Sequence, residues 1–357
     1  MTHKIVIYSE QEKNLDRAAG ALASIQMDCP YNQPDYMSLL ANHLYPDSQL
    51  NVFFFRSDNG QVYYPFFKRP LKSIARMPEP FHRYHDIIGS WYFGGPLAVV
   101  STDRRRLLAE YAKAFSDFCA AENIVSEFIR FDPGLENHLF SSGYHEVILN
   151  RDTVYIDLEL PYEQIWNEYR GRCRTAVRKA LKNDIRVSDR VTVERIEAFA
   201  RIYQSEMERK ADSRHYFFST RFFTDVAAVL PDQFKYFFAF HKDRLCGATL
   251  VYYTQKIAYD YLMATDVDFW KYQPNNLLLD TAVRWAKSQG IAVFDLMGGR
   301  PGVFHFKSSF SDLRRPFFTG KKIHLPDVYA QLAEITQGLK KEAHNPDFFP
   351  VYRQIEE

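Results

Sequence analysis

The chain has 357 residues, more than one hydrophobic core of roughly 250–300 residues sustains, so two domains are expected. Lys and Arg total 45 against 44 Asp and Glu, a net charge of +1. That balance excludes a histone-like coat for polyanions and leaves room only for a local basic patch. Apolar residues make up 46% and include 30 Phe and 23 Tyr, which excludes global disorder.

No apolar run approaches the ~18 residues of a membrane span. The start places Lys4 before a short apolar stretch, Ile5–Tyr8, followed by Glu10, Glu12 and Asp16. This is no secretory signal, and a cytoplasmic protein is expected. Cys29, Cys119, Cys173 and Cys246 are widely scattered without C-x-x-C spacing. They read as reduced, mostly buried thiols. Cys173 alone lies among cations, which makes it a candidate reactive thiol.

In chain order, residues 51–67 carry two β-rich runs around Ser57-Asp58-Asn59-Gly60, a hairpin signal in which Asn-Gly supplies positive φ. Trp91-Tyr92-Phe93 then breaks at Gly94-Gly95-Pro96. Residues 103–122 predict an amphipathic helix with Leu108, Tyr111, Ala112, Phe115, Phe118 and Cys119 on one stripe, capped by Thr102 or Asp103. Ile124–Phe131 reads as a strand. Thr153–Leu160 is another, and Pro161 opens a helix to about Lys182. Helices near 192–210 and 220–229 follow.

The second half repeats the first. Two β-runs in 235–253 flank a polar turn, and a third run, Lys256–Ala264, follows. A helix over 273–290 then leads to the strand Ile291–Met297 and Gly298-Gly299. Hairpin, helix, strand thus occurs twice, the mark of an internal duplication, although any α/β protein alternates somewhat. The expected organisation is an α/β chain with mixed sheets. Residues 1–150 form one domain and 151–325 a second; 326–357 form a helix, near 326–342, and a tail.

The chain has no P-loop, G-x-G-x-x-G, H-E-x-x-H or G-x-S-x-G. His82-Arg83-Tyr84-His85 and the pair Asp266 and Asp268 lack further spaced ligands, so no metal site is expected; the second pair reads as a turn or cap. The unusual stretch is 169–182, which has six basic residues and no acid. Arg170, Arg174, Arg178 and Lys182 recur every four residues, a ridge opposite Ile165, Trp166, Tyr169, Cys173, Ala176, Val177 and Ala180. Like charges at that spacing repel by about 0.2–0.5 kcal/mol per pair. The ridge therefore suggests an anionic partner, a diphosphate or an RNA backbone. The alternative is a solvated face paired to acids elsewhere.

The hairpin followed by Gly-Gly-Pro-Leu (94–97), the Arg-rich helix, the helix 274–289, the run FDLMGG (294–299) and HFKSSF (305–310) together resemble the Fem-type peptidyltransferases and their relatives. These are tandem-duplicated members of the GNAT acyltransferase superfamily. The order of the elements, over roughly residues 35–320, carries the resemblance. It implies two GNAT-like domains with a cleft at or beside their junction. It also implies transfer of an acyl group to a primary amine, from an aminoacyl-tRNA in one branch and an acyl thioester in others. Phe306-Lys307 matches the family's Phe-Lys motif, whose lysine is assigned to charge on the reacting carbonyl or a nearby phosphate. A lysine on a strand beside a glycine-rich turn can meet a developing oxyanion; the alternative is a surface lysine on an alternating strand. Arg170, Arg174, Arg178 and Lys182 would then hold acceptor or donor phosphates. Two departures stand out. The stretch Ile185 to Phe234 is too short for the helical arm of many members. Lys271-Tyr272-Gln273-Pro274-Asn275-Asn276 has no glycine where coenzyme A-using members carry a glycine-rich loop. Gln273, Asn275 and Asn276 at that helix start remain candidates for the donor's anion.

Aminolysis needs an unprotonated amine and a route for one proton. Asp260, Tyr261 and Asp295 lie on or at the ends of strands and are the candidate proton-handling groups, with structural hydrogen bonding as the alternative. Trp91, Gly94 and Gly95 are candidates for shaping the substrate pocket, with core packing as the alternative. The leading expectation is a cytoplasmic acyl- or aminoacyltransferase acting on an amine of a cell-envelope glycan or peptidoglycan-type precursor. Its substrate would be phosphate-bearing, tRNA would be a candidate partner, and neither DNA nor a tightly bound cofactor is expected. The alternatives are a transferase using acyl-CoA or an acyl carrier, and a non-catalytic GNAT pair that binds RNA or a protein.

Overall fold

The computed structural model describes residues 3–210, 216–339 and 348–356. The first stretch contains strands β1 (Lys4–Ser9), β2 (Gln49–Ser57), β3 (Gly60–Pro70), β4 (His85–Ile88), β5 (Leu97–Val100) and β6 (Ile124–Arg130). Its helices are α1 (Ala18–Ala23), α2 (Pro34–His43), α3 (Arg104–Ala121) and α4 (His138–Ser141). Next come β7 (Glu146–Asp157), α5 (Tyr162–Glu168), α6 (Gly171–Lys182), β8 (Ile185–Ser188), α7 (Val193–Arg209) and α8 (Thr220–Val229). They are followed by β9 (Phe234–His241), β10 (Arg244–Tyr253), β11 (Ile257–Thr265), α9 (Pro274–Ser288), β12 (Val293–Met297) and α10 (Pro301–Lys307). β13 (Arg314–Ile323) and α11 (Pro326–Leu339) complete the chain's main elements. The end of the helix expected near 326–342 lies outside the described residues.

The chain divides into two compact units, Met1–Asn150 with Phe317–Glu357, and Arg151–Pro316. Residues 317–325 and the tail, read from the sequence as part of or following the second domain, thus belong to the first unit. The first unit orders its strands β1-β2-β3-β4-β6-β13, with β4 and β6 parallel and the other neighbours antiparallel. The second orders them β8-β9-β10-β11-β12-β7, with β11 and β12 the parallel pair. Apart from β5, which pairs with β3, each strand has a counterpart with the same direction, and α3 matches α9 as the crossover between the parallel strands. Duplication is therefore visible in topology as well as in element order.

Local chemistry explains the elements. In the β2–β3 hairpin only Gly60 takes a positive φ, +146°, and a Cβ there would lie 2.2 Å from the Val99 carbonyl. Asn59 instead uses its side chain, donating to Glu110 Oε1 at 3.0 Å and accepting from Thr102 Oγ1 at 2.7 Å. Asp103 caps α3 by accepting from the Arg105 and Arg106 amides at 2.9 and 3.1 Å. The buried stripe of α3 is Leu107, Tyr111, Ala114, Phe115 and Cys119, so Leu107 takes the core position expected for Leu108. In the second unit Val251, Ala258 and Phe294 of the sheet pack with Val177 of α6 and Leu278 and Ala282 of α9. α7 and α8 bring Phe199, Tyr203 and Phe223 together, and Phe199 reaches Tyr236 of β9.

The tail is fastened to the first unit by a buried ion pair. Arg353 donates from Nε to Asp86 Oδ2 at 2.8 Å and from Nη2 to Oδ1 at 3.2 Å, while Arg69 Nε reaches Oδ1 at 2.8 Å. Burial opposes the charge of Asp86, but Arg353 and Arg69 outweigh it and hold the carboxyl below its ordinary value. Removing one partner of such a pair costs about 3–5 kcal/mol. Arg353→Ala is therefore expected to lower the urea midpoint strongly at pH 7. A depressed folded value gives stability that is complete above the unfolded value near ~3.9 and is lost as pH falls through the folded one. The gap between wild type and variant should thus narrow below about pH 4. Equal midpoints at pH 7 would refute the latch.

Candidate active site

The site grows from a fork in the second sheet. β11 and β12 pair over three positions, Ile257 with Val293, Ala258 with Phe294 and Tyr259 with Asp295. β11 continues to Thr265 and β12 to Met297 without pairing further. Asp260 is the first residue past the fork. The pairing of β11 with β10 steps from Leu262 to Asp260, which leaves Tyr261 as a bulge.

Lys307 and Asp260 meet at this fork. Lys307 Nζ lies 3.1 Å from Asp260 Oδ2, and both side chains are at least nine-tenths buried. Thr249 Oγ1 donates to Asp260 Oδ1 at 3.3 Å. The sequence reading put Lys307 on a strand; it ends the helix α10 instead. Arg300 is the N-cap and Pro301 the first helical residue, where its fixed φ and missing N–H cost nothing. The helix turns Lys307 inward, while Phe306 is half-buried with its ring 5.4 Å from that of Phe310.

The connection from β12 to α10 is sharply folded. Asp295 is fully buried, and its Oδ1 accepts the Met297 amide at 2.6 Å. Met297 has φ +62°, a conformation costly for a non-glycine residue. Gly299 has φ +146°, and Arg151 Nη1 donates to its carbonyl at 3.0 Å. Asp295 therefore holds the turn that launches α10, and so the position of Lys307. The Tyr261 ring packs against Phe234 at 5.1 Å and Tyr252 at 6.0 Å.

The basic segment differs from the expected ridge. The helix from Pro161 breaks at Tyr169 and Arg170, whose ψ values of 133° and 147° are extended. Tyr169 is buried against Phe310, and the Arg170 amide bonds to Ser309 O at 2.8 Å rather than within a helix. The Arg170 side chain pairs with Asp312 at 2.9 Å. Arg174 caps α5, donating to the carbonyls of Asn167 at 2.8 Å and of Tyr169. Those two arginines serve the chain's own structure. Arg178 lies over the Trp166 ring at 5.4 Å, and Lys182 ends α6. Arg172, outside the expected ridge, reaches α10 from this segment, donating to His305 O at 3.3 Å. A four-residue spacing count could not find it.

Cys173 is buried, and burial pushes its thiol up to about 11, which removes the case for a reactive thiolate. Asn276 Nδ2 points at its sulfur, 3.6 Å away, so the third residues of α6 and α9 touch. Gln273 adopts φ +63° before α9 and donates to Trp270 O at 3.0 Å. Asn275 Oδ1 is buried without a hydrogen-bond partner. Pro274 supplies no N–H at this helix start. Asp266 caps the turn before it, accepting from the Asp268 amide at 3.0 Å, and both carboxylates pair with Arg244.

The first unit has no such fork. After β4 ends, Gly94 bridges to Phe131 in parallel and its amide bonds to Arg130 O at 2.8 Å. Asn137 Nδ2 donates to Gly94 O at 2.8 Å. Gly95 has φ +94°, and a Cβ there would lie 2.9 Å from Ile129. The close backbone approach expected for a ligand is thus made to β6 itself. Trp91 is buried with its ring centroid 4.0 Å from that of Tyr92.

Residues 167–308, which contain the fork, α6 and Lys307, match the family model for the acetyltransferase (GNAT) domain. No curated protein matches the sequence. Among solved structures, FemX is similar at 12% identity and TM-score 0.65, over 93% of this chain and 99% of that one. A conserved protein of unknown function from Bacteroides thetaiotaomicron VPI-5482 is similar at 10% identity and TM-score 0.56, over 87% and 97%. The C-terminal domain of a protein assigned as a lysylphosphatidylglycerol synthetase from Agrobacterium fabrum is similar at 11% identity and TM-score 0.51, over 89% and 97%. These likenesses show a tandem GNAT fold of the Fem type, and with the matched domain they support an N-acyltransferase. Among the described residues no helix is long and apolar enough to cross a membrane.

Proposed function

We propose that this tandem GNAT chain transfers an acyl or aminoacyl group from an activated ester to a primary amine at the β11–β12 fork. The observation that carries the reading is the buried Lys307–Asp260 pair, 3.1 Å apart, where β11 and β12 part and, among the described residues, no other strand pairs between them. A solvated lysine would contribute little, whereas a buried ammonium held by a carboxylate is pre-organised for charge that develops only in the transition state.

The amine lone pair attacks the carbonyl carbon, the C=O electrons become an oxyanion, and the C–O bond to the leaving group breaks. The proton shed by the amine is gained by the leaving oxygen, so the reaction balances. Lys307 would stabilise the oxyanion and pass a proton to the leaving oxygen. Asp260 would hold Lys307 aimed at the fork, with Thr249 holding Asp260. Asp295 would act on geometry, because Oδ1 is committed to the Met297 amide. Arg172, beside His305 of α10, is the cation best placed for a substrate phosphate.

The start of α9 favours an aminoacyl ester over acyl-CoA. Gln273-Pro274 replaces a glycine-rich loop, Pro274 has no amide proton, and Asn276 is turned to Cys173. The resemblance to the Fem-type enzymes, which the likeness to FemX supports, implies as acceptor an amine on a phosphate-bearing cell-envelope precursor. We place the reaction in the cytoplasm with no tightly bound cofactor. A non-catalytic scaffold would have little use for a buried lysine at an open strand edge, which disfavours that alternative.

The test offers the chain mixed aminoacyl-tRNA or a panel of acyl-CoAs, together with a nucleoside-diphospho muramyl peptide that bears a free amine. Mass spectrometry should find one amino-acid residue added to the peptide from the tRNA ester and none from the thioesters. Thioester-only transfer would replace the donor assignment, and no product from any donor would overturn the reading.

A further inference from the structure

The outward face of α6 has a use that acyl transfer does not require. Cys173, Val177 and Ala180 form its buried stripe. At 100° per residue, Arg178, Lys179 and Lys182 centre on the opposite side. All three are exposed, and among the described residues no carboxylate pairs with any of them. They lie within about 6 Å of one another along the helix axis. Leu181, 56% exposed, stands at their edge. A chain with 44 acidic residues places none within α6, so the concentration of charge is local.

We propose that this face docks the protein on an anionic lipid surface. The ridge is a convex helix, and the nearest aromatic, Trp166, already has a ring face covered by Arg178. A polynucleotide would be better served by a groove with open aromatic platforms. A flat sheet of phosphate headgroups matches a straight cationic ridge, and Leu181 supplies an apolar contact that a polynucleotide does not use. Three cations at the surface of an acidic bilayer strengthen binding by roughly 100-fold in all. The proposal stands independently of the transfer chemistry.

Co-sedimentation tests it, with vesicles of phosphatidylcholine alone or with three parts in ten phosphatidylglycerol. Wild type should bind only the second kind and should release in about 0.5 M salt, where screening shortens to about 4 Å. The combined variant Arg178→Gln, Lys179→Gln and Lys182→Gln should bind about 100-fold more weakly, with a melting temperature lowered only by loss of the Arg178–Trp166 contact, which Arg178→Gln alone calibrates. Leu181→Ser should weaken binding several-fold at equal charge. Indifference of the wild type to phosphatidylglycerol would overturn the proposal. So would full binding by the triple variant, or tighter binding of a short RNA than of vesicles through the same three residues.

Discussion

Lys307→Met is expected to lower kcat/KM by about 10²–10³-fold, the scale on which removing one pre-organised oxyanion donor acts. The same change leaves the Asp260 carboxylate nine-tenths buried without its ammonium partner, so stability should fall by about 3–5 kcal/mol. These two losses have different causes and separate in a second variant. Lys307→Met combined with Asp260→Leu removes both charges and should recover most of the stability, because an apolar pair of similar volume often equals a buried ion pair. Activity should stay lost. Asp260→Asn alone keeps one carbonyl oxygen, which can still accept from Lys307 while its NH2 replaces the oxygen that faced Thr249, and should retain more turnover than Lys307→Met. If the double variant regained activity along with its melting temperature, Lys307 would be a structural residue only, and the fork would lose its chemistry.

Much of the scaffold was legible in the sequence because local signals and tertiary structure agreed. The Asn59-Gly60 turn, the Asp103 cap of α3 and the repeated hairpin, helix and strand all appear where the pattern put them. The failures share a cause: tertiary contacts overrode a periodic reading. The charges at 170, 174, 178 and 182 have perfect helical spacing, yet burial of Tyr169 against Phe310 breaks the helix at the first of them and leaves Arg170 as an N-cap. Arg174 is then drawn onto the carbonyls that the break exposes. Short-range alternation likewise suggested a strand at Phe306-Lys307, where Pro301 nucleates a two-turn helix. Gly94 and Gly95 were legible as sites of close backbone approach, but a sequence does not say what approaches; here it is β6 and Asn137. Asp260 was named among three candidates, and only its 3.1 Å contact with Lys307 separates it from its neighbour Tyr261. The contrast between the units follows the same logic. Equivalent parallel strands remain bridged by Gly94 and Phe131 in the first unit and part after Tyr259 in the second.

Asp295 is the remaining carboxylate with two possible roles, and one pair of substitutions separates them. As a proton acceptor it would need its negative charge. As a positioning residue it needs only an oxygen at Oδ1 to receive the Met297 amide, 2.6 Å away. Asp295→Asn keeps that oxygen and removes the charge, whereas Asp295→Ala removes both. The geometry favours positioning. The bond holds Met297 at φ +62°, a conformation that costs about 1–3 kcal/mol unless its surroundings enforce it. From there Gly299 turns the chain into α10 and onto Lys307. Asp295→Ala should therefore relax the turn, displace Lys307 from Asp260 and lower kcat by about 10²-fold, the penalty of a roughly 1 Å misplacement. KM should change little, since no substrate contact is removed. Asp295→Asn should hold kcat within a few-fold of wild type and leave its pH profile unshifted. An Asn variant as inactive as the Ala variant, yet equally stable to wild type, would instead make Asp295 the group that takes the proton from the amine.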